Sequence, residues 1–86
     1  MKDHRRIREQ LLSALYKHQE VEPNSTGLIE RQMKTEIGDV DVNFDLYYLL
    51  EKGYVRKKST YYKITAEGIE ALEKWDRENL EEMGRA

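Results

Sequence analysis

Arg56, Lys57, Lys58 and Lys63 fall within ten residues, and no acid lies between Val55 and Ile64. The chemistry such a cluster can do is electrostatic. Lys and Arg heads hold phosphate oxygens and supply affinity that is independent of sequence. An alternative is an exposed hairpin whose lysines only keep it in solution and block edge pairing. A second group of cations, Lys2, Arg5, Arg6 and Arg8, sits at the start of the chain. Arg31 and Lys34 form a weaker third. Covalent chemistry finds no foothold. There is no cysteine, no Gly-rich phosphate loop and no Ser-His-Asp order. His4 and His18 are fourteen residues apart, about 21 Å along one helix, too far to share a metal within a chain. The expectation is a protein that is not an enzyme, with no metal and no cofactor.

The elements that position these cations follow from composition and pattern. With 86 residues a single domain, 1–86, is expected. Charged residues make up 37% and hydrophobic ones 38%, so the core is thin and oligomerisation is a common remedy. The formal net charge is −2, so no global positive field draws the chain to nucleic acid or to a membrane. Met1 is followed at once by charged residues, and no apolar run is long enough for a signal peptide or a membrane span. A cytoplasmic protein is expected.

Ile7, Leu11, Ala14, Leu15 and His18 recur at helical spacing and predict a helix over residues 4–19. VEPNSTG ends it. Ser25 or Thr26 is expected to cap a second helix running to about Glu36, with Leu28, Ile29 and Met33 facing in. Gly38 stops that helix, Asp39 or Asp41 caps a third over 42–52, and Gly53 ends it. The segments 54–57 and 61–64 read as a hairpin. Thr65 caps a last helix from 66 to about 83.

The specific signal lies in LLEKGYVRK and YYKITAEGIEALE. Both resemble winged-helix proteins of the PadR, MarR and ArsR type. In that pattern a Leu-Glu-x-Lys-Gly-Tyr-Ile/Val step enters the wing, and Tyr-x-Ile/Leu-Thr-x-x-Gly leads from it into a C-terminal helix. Leu50, Glu51, Lys52, Gly53, Tyr54 and Val55 follow the first set, with one residue fewer between the first leucine and the wing than in that pattern. Tyr62, Lys63, Ile64, Thr65, Ala66, Glu67 and Gly68 hold the second. The resemblance implies an α+β winged helix: a three-helix bundle, a two-stranded β-hairpin wing and a long C-terminal helix. Residues 1–64 would form the helix-turn-helix and wing, and 65–86 a dimerisation element. It also implies a DNA-binding transcription regulator acting on double-stranded DNA as a homodimer. The third helix would enter the major groove, with Asn43, Tyr47 and Tyr48 toward base edges or phosphate. Arg56, Lys57, Lys58 and Lys63 would lie on the backbone, and Arg5 and Arg6 could flank the duplex beside them.

Charge is segregated in a way that opens a second reading. Residues 35–54 hold five acids (Glu36, Asp39, Asp41, Asp45, Glu51) against one base, Lys52. Val42, Leu46, Leu49 and Leu50 form one face of the third helix. Phe44, Tyr47, Tyr48 and Glu51 form the other, with Asn43 and Asp45 at the flanks. These aromatics could tuck against the first helix or the wing. They could instead form a docking face for a protein partner, since aromatic residues are enriched at such surfaces. In the last helix Ala66, Ile69, Leu72, Leu80 and Met83 make a stripe with Trp75 beside it. Ile69, Leu72, Trp75, Leu80 and Met83 are the expected dimer contacts. The alternative is a helix that folds back on the first helix and buries the same stripe within one chain.

Overall fold

The computed structural model describes residues 3–84, with the side chains of 79 and 81–84 left undescribed. Seven elements follow in order: α1 (His4–Val21), β1 (Leu28–Ile29), α2 (Glu30–Ile37), α3 (Asn43–Glu51), β2 (Val55–Lys58), β3 (Tyr61–Ile64) and α4 (Ala66–Gly84). The class is α+β, with four helices and one three-stranded antiparallel sheet in the order β1-β3-β2.

Each helix begins and ends for a local reason. The Asp3 carboxylate accepts from the Arg6 N–H at 3.1 Å and caps α1. Ile7, Leu11, Leu12 and Leu15 then bury one side of that helix. Gly38, at φ 106°, closes α2, and Gly53, at φ 76°, follows α3. Asp41 accepts from the Asn43 N–H at 3.0 Å and opens α3. Thr65 joins three elements. Its hydroxyl donates to the Gly53 carbonyl at 2.6 Å and accepts from the Gly68 N–H at 3.1 Å, which caps α4 as expected.

The start of the second helix differs from expectation. Neither Ser25 nor Thr26 caps it. The Ser25 hydroxyl instead accepts from the Gly27 N–H at 3.1 Å and meets His18 Nε2 at 2.7 Å. Gly27 has φ 115°, outside the helical region, and a Cβ there would lie 2.1 Å from the Tyr62 carbonyl oxygen. The chain therefore passes tightly along β3. Leu28 pairs with Tyr62 and Ile29 with Tyr61. Leu28 is buried from a strand, not from a helix.

The core gathers Leu11, Leu12 and Leu15 of α1, Met33 of α2 and Leu46 and Leu49 of α3 over the inner sheet face. Leu72 of α4 is 7% exposed and belongs to this core, so it lies off the surface. Ile69 and Trp75 pack partly against the same core, and Trp75 meets the Tyr54 ring edge-on at 6.1 Å. Leu80 is 68% exposed. The stripe on the last helix is thus divided between the chain's own core and solvent. Met83, the fifth expected contact, lies outside the described side chains.

Candidate nucleic-acid interface

The register of the hairpin decides which cations act together. Val55 pairs with Ile64, Arg56 with Lys63, Lys57 with Tyr62 and Lys58 with Tyr61. Side chains alternate across a strand, and directly paired residues share a face. Val55, Tyr62 and Ile64 are buried, so that face is inner. Arg56, Lys58, Tyr61 and Lys63 therefore share the outer face. Together with Ser25 and Thr26 they line a groove of about 270 Å³. Lys57 points the other way and holds its ammonium 5.4 Å from the Tyr62 ring centre. The four cations of the sequence cluster are thus three plus one.

Like charges directly opposite each other destabilise an antiparallel pair. Arg56 and Lys63 are such a pair, with Lys58 two residues along the same face. Among the described residues no carboxylate forms an ion pair with any of them. An anion bound on this face would supply the partner that the described carboxylates do not.

α3 carries less outward negative charge than its composition suggests. Asp45 is 0% exposed. Arg8 Nε lies 3.2 Å from its Oδ1, and His4 Nδ1 lies 3.0 Å from its Oδ2. Asp45 also sits in the first turn of α3, where the helix dipole favours a carboxylate. The Arg8 guanidinium lies 3.6 Å over the Tyr48 ring, and Lys52 approaches that ring at 5.8 Å. His4 meets the Phe44 ring at 5.0 Å. One network thus fixes α3 against α1, and Tyr48 is half-buried within it.

Asn43, Phe44 and Tyr47 remain exposed on α3, the last two at 61% and 64%. A hydrogen bond to Glu51, and the charge of that carboxylate, raise the Tyr47 pKa above its ordinary 10.0. At the chain start, Arg5 reaches Glu9 at 3.6 Å and Glu78 at 3.5 Å, and Arg6 is exposed. The Arg5 charge is therefore engaged with α1 and α4.

His18 is half-buried, held by Ser25 and 3.8 Å from Glu22. Among the described residues no group of three or more His, Cys, Asp or Glu could hold a metal. No helix among them is long and apolar enough to cross a membrane. Comparison with family models, curated proteins and solved structures gives no match.

The sequence reading missed the burial of Asp45 and the place of Ser25 and Thr26 beside the basic face. For Asp45 a signal existed. Residues 42, 45, 46 and 49 follow the i, i+3, i+4, i+7 spacing of a buried stripe. Ser25 and Thr26 gave none, because β1 is two residues long.

Proposed function

We propose that this chain is a winged helix-turn-helix DNA-binding domain of a homodimeric transcription regulator, with β2 and β3 as the wing. The observation that carries the reading is the outer hairpin face, where Arg56, Lys58 and Lys63 stand together without a carboxylate partner. Counterion release from phosphate is the favourable process such a face can drive. The burial of Asp45 against Arg8 and His4 supports the reading further, because it removes one carboxylate from the side that α3 would present to the major groove. Asn43 and Tyr47 are the exposed uncharged polar residues there, beside the exposed Glu51, and are suited to base edges and backbone. Tyr48 serves instead as a ring that holds Arg8. Among the described side chains of α4, Leu80 is the large apolar one left open, and it would seat against a second copy. The reading assigns no catalytic residue and no cofactor.

A second reading has its own support. Phe44 and Tyr47 expose large aromatic surface beside Glu51, which suits a protein partner. Titrating a labelled random duplex separates the two. On the DNA reading the wild type binds, Arg56→Glu/Lys58→Glu/Lys63→Glu loses binding, and Lys57→Glu keeps most of it. If the folded wild type fails to bind at low salt, the DNA reading falls and Phe44 and Tyr47 become the surface to probe.

A further inference from the structure

Resting on the reading of the hairpin as a phosphate-binding wing, we infer that its outer face takes DNA with an unpaired stretch. An unstacked base lies on Tyr61, and the flanking phosphates lie on Arg56, Lys58 and Lys63. Tyr61 stands directly opposite Lys58 and is 40% exposed. Three other tyrosine rings are occupied. Tyr48 carries Arg8, Tyr62 carries Lys57, and Tyr54 meets Trp75. Among the described residues no ring and no cation covers Tyr61, although three cations share its face.

A closed duplex makes poor use of such a ring. Its bases stack on one another and offer only their edges in the grooves. A ring set in a cationic track gains when a base leaves the stack, which is how proteins hold single strands with little sequence preference. The groove beside Tyr61 is concave, about 270 Å³, and Ser25 and Thr26 complete its lining. The exposed face of α3 offers aromatic rings but no Arg or Lys before Lys52. Cations and an open ring therefore coincide on the hairpin and not on α3.

The test uses labelled DNAs of one length: a closed duplex and the same duplex with a short central bubble. Each is titrated with the wild type, Tyr61→Ala and Tyr61→Phe, after circular dichroism shows that the variants are folded. The bubble should bind roughly tenfold tighter than the closed duplex, the scale of one base stacked on an aromatic ring. Tyr61→Ala should erase that preference, so that bubble and closed duplex bind alike, while Tyr61→Phe retains it. Equal wild-type affinity for the two DNAs overturns the inference and leaves the wing reading standing. So does a Tyr61→Ala variant that weakens both alike. Failure to bind either DNA at low salt overturns the wing reading itself, and this inference with it.

Discussion

Replacing Arg8 by methionine leaves the Asp45 carboxylate in the interior with only His4 beside it. Asp45 is 0% exposed, and the Arg8 side chain is 21% exposed. Breaking a buried ion pair by removing one partner costs about 3–5 kcal/mol, because the remaining charge stays desolvated. His4 still lies 3.0 Å from the carboxylate and lowers the cost toward about 3 kcal/mol. Loss of the guanidinium over Tyr48 adds about 0.5–1 kcal/mol. In a domain of this size each kcal/mol moves Tm by about 4–8 °C, so a total of about 3.5–4 kcal/mol gives an expected fall of about 14–32 °C. Arg8→Met/Asp45→Leu removes both charges and fills the site with apolar atoms. It should recover stability to within about 1 kcal/mol of the wild type. Urea unfolding followed by circular dichroism measures both variants. A cost below about 1 kcal/mol for Arg8→Met would mean the pair behaves like an exposed one and does not fix α3. A double variant less stable than Arg8→Met would refute the reasoning as well.

Gly68→Ala should destabilise by about 1–2 kcal/mol, although alanine favours a helix by about 1 kcal/mol over glycine. The added Cβ would lie 2.1 Å from the Tyr54 carbonyl oxygen and 2.8 Å from Ile64 Cγ1, and thermal unfolding reads the loss. In a titration followed by tyrosinate absorbance, Tyr47 should ionise above pH 10.0, and Glu51→Gln should bring it back. The folded state holds that proton more tightly, so stability is unaffected below pH 10.0 and falls as pH rises above it. Leu80→Glu should convert a homodimer to monomers in light scattering while leaving the helical circular dichroism unchanged. A dimer that survives this change is not built on α4.

Much of the fold was legible because its signals are local. Ile7, Leu11 and Leu15 mark α1 by spacing, Gly38 and Gly53 mark its successors' ends by φ, and Thr65 marks the last cap by its hydroxyl. β1 was not legible. Two residues carry no periodicity, and Ser25 beside a helix-forming run looks like a cap until His18 and Gly27 are seen to occupy it. The site was legible in its charge and not in its direction. Four adjacent cations cannot be sorted into three and one until pairing fixes the register. Asp45 entered the charge balance of α3 as though exposed, because its partners Arg8 and His4 lie 37 and 41 residues away in sequence. The stripe on α4 was read correctly as apolar. Its periodicity gives no means of choosing between the chain's own core, which takes Leu72, and a second copy.

The measurement that tests the central claim most directly is the salt dependence of duplex binding by the wild type and by Arg56→Glu/Lys58→Glu/Lys63→Glu. Three phosphates neutralised per wing correspond to a log–log slope of about −2.7 per protomer and about −5.4 for a dimer. On the per-protomer slope, binding should weaken roughly 40-fold between about 50 mM and about 200 mM salt. The charge-reversal variant should lose that slope along with its affinity. A wild-type slope near zero, or a variant that keeps the wild-type slope, would contradict the assignment of this face to phosphate.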